Sequence, residues 1–316
     1  MIRFLIFSIL ITFVISGCSN KKVFEPQSSD FDATSSSCAT PVSVTASGAT
    51  LDNGKFVSDN SQGEVPEGFT FASDIDAPVF VDDKGNVNVE GKTIHLKDRV
   101  ITASLIKGQI AFVTYNNRYG LYDLKNDTVT FQNIDASVNT IHAKTVAPVA
   151  VDDLIIFPTL NGKLIVVSNN QILREIIVTP RGDFNNIIFL EVFGNTLIAA
   201  TANDVIALGG RTLERQKLQV ADIVLTDEEI YIFTKNGRVL VTDERLQTLQ
   251  EKTFQFANFI HANYHEGYVY AVEKAGYIIA FAKNLNYRIY ELNDAVEDIS
   301  FFKGATLYYG GSCQSP

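Results

Sequence analysis

Glu229-Ile-Tyr-Ile-Phe-Thr-Lys-Asn-Gly-Arg-Val-Leu-Val241 and Leu154-Ile-Ile-Phe-Pro-Thr-Leu-Asn-Gly-Lys-Leu-Ile-Val166 share one plan: an apolar run, Asn-Gly, and a second apolar run. Asn and Gly both accept positive φ, which a tight hairpin turn requires, so each segment predicts two antiparallel strands. Related units lie at 109–124, 195–208, 268–281 and 79–89, the last turning at Lys84-Gly85-Asn86. A half-unit at 305–310 lacks a second strand. Unit starts recur every ~35 to 45 residues, the period of four-stranded blades. Apolar runs before the hairpins (146–151, 220–225) and after them (172–178, 252–256) complete four strands per unit. Such a sheet cannot bury both faces alone, and stacking copies around an axis solves this.

The sequence therefore predicts an all-β propeller of four-stranded antiparallel blades, seven in number, with six or eight as alternatives. Segment 42–58 has strand character and no blade of its own. It is expected to complete a last blade begun by 293–310, because an open ring would leave unpaired sheet edges. Cys38 and Cys313 lie in Ser/Gly-rich stretches near the two ends of the mature chain, and are expected to form a disulfide that pins this closure.

The N-terminus carries a different signal. Arg3 precedes an apolar run, 4–14, interrupted only by Ser8 and Thr12, and small residues lead to Ile15-Ser16-Gly17-Cys18. A basic start, a short apolar run and a small-residue end make a secretory signal. The run is shorter than the ~20 apolar residues a bilayer span needs. Its end resembles the lipobox of bacterial lipoproteins, which implies lipidation of Cys18 and cleavage before it. Ser19, rather than Asp, follows the Cys and implies sorting to the outer membrane, facing the periplasm. Residues 1–17 are thus assigned to the signal, 18–40 to a lipidated flexible tether, and 41–316 to a single propeller domain.

The formal net charge of the 316 residues is −10, and losing Arg3 with the signal makes the mature chain one unit more acidic. That balance argues against nucleic acid as a partner. It also argues against a generally basic membrane-hugging surface, so the acyl chains carry the attachment. Phe and Tyr are plentiful and Trp is absent.

The units resemble the quinoprotein-type (PQQ-like) blade. Ala147-Pro148-Val149 followed by 154–166 carries its first part, and Tyr122-Asp123 through Phe131 its second, with Phe131 where the family places a docking Trp. On a lipoprotein, such a propeller is similar to the BamB-like accessory lipoproteins of outer-membrane β-barrel assembly. The resemblance implies a non-enzymatic scaffold whose partners are the barrel insertase and its companion lipoproteins. It also implies contacts from acidic residues before a Pro-Val strand, here Asp74 and Asp76 in the run 73–79. The alternative is a binding module for another envelope or surface partner, adhesin-like, to which Arg181-Gly182-Asp183 would fit. A quinone-dependent dehydrogenase is the enzymatic rival. Its cofactor stacks between a Trp and a disulfide of neighbouring cysteines, and this sequence has neither.

No catalytic, cofactor or metal residues are assigned. His261 and His265 are the only clustered histidines, without an evident third ligand, and read as a loop and strand end. Asp82-Asp83 and Asp152-Asp153 lie at or beside hairpin turns, where Asp caps backbone N–H groups.

Overall fold

The computed structural model describes residues 22–180, 185–297 and 299–316. Its strands form eight sheets built on four antiparallel strands each. Seven blades are contiguous in sequence: 41–64, 70–95, 100–134, 149–177, 189–217, 220–253 and 259–291. The eighth joins Phe301–Lys303, Thr306–Tyr309 and Ser312–Ser315 to Thr34–Ser37 from the other end of the chain. Blade 7 gains a short fifth strand, Phe31–Asp32, pairing in parallel with Tyr290–Glu291.

Within a blade, the last strand is the most exposed. In blade 6, Val220–Leu225 is buried almost throughout, whereas Thr248–Thr253 is largely exposed. The first strands of neighbouring blades touch each other and so surround the ring axis. Apolar side chains between adjacent blades form the core. Ala49, Leu51 and Val57 of blade 1 pack with Phe301 of blade 8, so the ring is closed.

The hairpin turns explain why the units recur. In blades 3, 4 and 6, Thr114, Thr159 and Thr234 each bond an Asn two residues on, and each hydroxyl accepts the N–H of Arg118, Lys163 or Arg238. Gly237 sits in this turn at φ +82°, where a Cβ would lie 2.1 Å from the Phe254 carbonyl oxygen. Only glycine fits there.

Aromatic packing replaces the missing tryptophan. Phe131 of blade 3 lies 6.2 Å from both Tyr119 and Phe157, the latter in blade 4. Phe254, after the last strand of blade 6, does the same against Phe259 and Phe281 of blade 7 at 5.9 and 5.7 Å.

The blade count is eight, which corrects the expectation of seven. Segment 42–58 does not complete the last blade. It lies within blade 1, made by Pro41–Val44, Gly48–Leu51, Lys55–Ser58 and Gln62–Glu64. The strand that closes blade 8 is Thr34–Ser37, and 305–310 does have a following strand, Ser312–Ser315. The closure bond is as expected: Cys38 and Cys313 are disulfide-linked across 275 residues, with Cα atoms 5.6 Å apart. Residues 22–37 of the expected tether lie against the outer edges of blades 6, 7 and 8, with Phe24 buried on Phe254 and Tyr277.

Candidate functional site

The inner strands leave a cleft of about 350 Å³ at the ring axis, lined from blades 1, 2, 4, 5, 6, 7 and 8. A long irregular connector, 135–148, runs from blade 3 to blade 4 and enters this cleft. Connections of this length without regular structure are uncommon and are often functional. Several contacts hold it, three of them around residues 142–145. The Thr145 carbonyl accepts the Ala46 N–H at 2.9 Å. The buried Asn186 amide accepts the His142 N–H at 2.5 Å and donates to the Lys144 carbonyl at 3.0 Å.

The third contact is ionic. Lys144 Nζ donates to Asp222 Oδ1 at 2.5 Å, and His261 Nδ1 lies 2.5 Å from Asp222 Oδ2. The Ala262 and Ile223 N–H groups also donate to this carboxylate, at 3.0 and 2.9 Å. His261 is itself stacked between blades on Phe301 and Phe302, at 5.8 and 5.9 Å. Burial alone would raise the Asp222 carboxyl, but Lys144, His261 and their hydrogen bonds outweigh it and hold it below the usual carboxylate range. Asp222 is therefore ionised, and the connector is fastened to blade 6 by a buried charge pair.

Two other carboxylates face the same space without a cation of their own. Burial pushes Asp59 up to about 6, with Asp74 and Asp222 adding to the rise and His261 and Lys144 opposing it. Burial also pushes Glu191 up to about 7, assisted by Asp59 and Asp222 and opposed by Lys144. Both touch the solvent of the cleft, so their protons exchange freely with water. The arrangement is an acidic axis crossed by one neutralised strap.

Sequence reasoning missed this cluster. Asp59, Lys144, Glu191, Asp222 and His261 come from five separate regions of the chain, and only the ring topology gathers them. His261 drew notice through His265, but the two diverge in role: His265 Nε2 lies 3.7 Å from the exposed Glu266, while His261 serves Asp222. Among the described residues, no group of three His, Cys, Asp or Glu is placed to hold a metal ion.

Asp74 and Asp76 end up in unlike places. Asp74 is buried and accepts hydrogen bonds from Ser58 and Ser61 of blade 1, so its carboxylate links two blades. Asp76 is exposed and accepts the Lys107 N–H at 2.7 Å. Asp82 caps its own hairpin through the Lys84 and Asn86 N–H groups, both at 2.8 Å. Cys18 and Arg181-Gly182-Asp183 lie outside the described residues.

No family model matches the chain. Among curated proteins it is similar to the plasminogen-binding protein PgbB of Helicobacter pylori. It is 26% identical over 231 residues in strain J99 and 27% identical over 232 in strain 26695, each 71% of this chain. The matched region is 42% of those relatives, so the chain spans well under half their length. Among solved structures, BamB from Moraxella catarrhalis aligns with a TM-score of 0.67 at 13% identity, covering 90% of this chain and 98% of that one. Sqt1 from Saccharomyces cerevisiae aligns with a TM-score of 0.61 at 10% identity, covering 92% and 98%. At these identities the structural likeness establishes the propeller fold alone.

Proposed function

We propose that this protein is a non-enzymatic binding platform, anchored in the outer membrane by acyl chains on Cys18 and facing the periplasm, that assists assembly of outer-membrane β-barrels. The observation that supports this reading is the propeller itself, aligned with BamB over 90% of the chain and carrying its loops on a closed, disulfide-locked ring. Loops fixed on a rigid scaffold suit the holding of other proteins. Asp76 is the contact we assign at the loop before Pro78-Val79, since its carboxylate is exposed. Asp74 holds blades 1 and 2 together and reaches a partner only indirectly.

A second reading has its own support. The relatives at 26–27% identity are plasminogen-binding proteins, which favours a module that binds a host or envelope protein. The binding activity of those relatives can reside in the part of them that this chain does not match.

Crosslinking in intact cells, followed by purification through a C-terminal tag and mass spectrometry, separates the two. Capture of the barrel insertase, reduced by Asp76→Lys at unchanged melting temperature, supports the assembly role. Absence of the insertase, with saturable plasminogen binding by the purified chain, replaces it with the second reading.

A further inference from the structure

We infer that the outer edge of blades 6 and 7 is a lipid-contacting surface that lies flat on the bilayer beside the anchor. The inference rests on acylation of Cys18 and adds to it an orientation for the whole ring.

Covalent reach comes first. Phe24, six residues after Cys18, is buried against Phe254 of blade 6 and Tyr277 of blade 7, with ring centroids 6.1 and 5.5 Å away. Six residues span at most about 20 Å even when fully extended. One blade of four strands is already about 14 Å wide, and the ring crosses two blades and a channel. An acylated Cys18 therefore brings this edge to the bilayer and leaves the opposite edge, around blade 3, far from it.

The surface chemistry at that edge is what an interface requires. Val23 is 55% exposed, Phe256 45% and Tyr287 39%, all close to the buried Phe24. Lys22 places its Nζ 5.2 Å from the Phe256 ring centroid, and Lys252 places its Nζ 4.4 Å from that of Tyr287. Exposed rings with ammonium groups beside them match the apolar-to-headgroup gradient of a bilayer surface, where aromatic bodies enter and lysines reach phosphates. The neighbouring Glu251 is occupied by Arg238 at 2.7 Å, and Glu25 lies toward Tyr277.

Phe256 carries a second sign. The Phe254 carbonyl accepts the Ala257 N–H at 3.1 Å, closing a turn in which Phe256 holds φ +66°. That position favours Gly or Asn. A phenylalanine that is 45% exposed at such a position accepts backbone strain, which points to use at an interface.

The absence of Trp makes the test direct. Phe256→Trp supplies a sole tryptophan, on the proposed surface, and Tyr115→Trp supplies one on blade 3 instead; excitation at the red edge of the absorption band selects its emission over that of the tyrosines. Each mature, full-length chain, purified from cells that export it, is mixed with vesicles of phosphatidylethanolamine and phosphatidylglycerol, with or without bromine on the acyl chains. Intact mass reports acylation of Cys18, and flotation reports attachment. Aromatic groups that enter the headgroup boundary sit ~5–10 Å deep, so brominated lipid is expected to quench the Phe256→Trp emission about twofold and leave Tyr115→Trp unchanged. An acylated chain that floats without quenching at position 256, or with equal quenching at both positions, overturns the surface while preserving the anchor. A mass lacking acyl chains overturns both.

Discussion

Blades 6 and 8 have the same four-stranded plan and are assembled in opposite ways. Blade 6 comes from one run, 220–253, whose strands are joined by short turns. Blade 8 takes three strands from 301–315 and its outermost strand, Thr34–Ser37, from the other end of the chain. Closing a loop of that length rather than a hairpin costs on the order of 3 kcal/mol more in chain entropy. The compensations differ accordingly. Blade 6 is held by local packing around Phe254 and by Asp222, whereas blade 8 is held by a covalent bond and by Gln314, whose amide donates to Tyr309 at 2.6 Å. The ring is uniform in shape and uneven in what keeps each part shut.

The strongest way to break this comparison is at the disulfide. Replacing both Cys38 and Cys313 by Ser should cost about 4 kcal/mol in global stability by denaturant unfolding. Amide exchange should accelerate first at 34–37 and 312–315, with blade 6 still protected. Equal acceleration in blade 6 would mean that the ring opens only as a whole, and the distinction would fail. A second test acts from the blade 6 side: Lys144→Met leaves the Asp222 carboxylate buried without its ammonium partner, an expected loss of about 3 kcal/mol. The connector 135–148 should then lose exchange protection, while strands 312–315 keep theirs.

Glycine substitutions sharpen the same contrast. Gly237→Ala drives a Cβ into the Phe254 carbonyl at positive φ, and should cost about 2 kcal/mol or more. Gly311→Ala in blade 8, also at positive φ but with its nearest neighbour 3.4 Å away, should cost about 1 kcal/mol. The smallest effect belongs to the axis. Asp59 and Glu191 have folded pKa values raised to about 6 and about 7. Their contribution is fully present below the ordinary carboxylate pKa and is lost as pH rises through those values. Melting temperature should therefore decline from about pH 5 to pH 8, and the combined Asp59→Asn and Glu191→Gln change should flatten that slope. A slope unaltered in the double variant would remove these groups as its origin.

The central hairpins were legible because their signal is local: apolar runs around Asn161-Gly162 and Asn236-Gly237 are visible in any window of the sequence. Blade 1 was less so. Its strands are only three or four residues long and rich in Ser, Thr and Gly, although Asn53-Gly54 marks the same turn between Gly48–Leu51 and Lys55–Ser58. The closing strand, Thr34–Ser37, reads Thr-Ser-Ser-Ser and is exposed along its length, so no apolar pattern announces it. The axial cluster was illegible for another reason. Glu191, Asp222 and His261 each sit alone among apolar neighbours, Asp59 and Lys144 lie in polar stretches far from them, and proximity arises only when separate regions converge on one axis. Asp74 shows the converse: the resemblance offered it as a partner contact, but the Ser58 and Ser61 hydroxyls that turn it inward belong to the blade not recognised.

The pairing of Thr34–Ser37 with Ser312–Ser315 also sets a clock. One strand is made early and its partner late, with 275 residues separating the cysteines that lock them. At a synthesis rate of ~5–20 residues per second, the first strand waits on the order of tens of seconds for its mate. Throughout that interval the growing molecule is an arc rather than a ring, with raw sheet edges at both extremities. Until the last residues arrive, those edges are open to pairing with other chains.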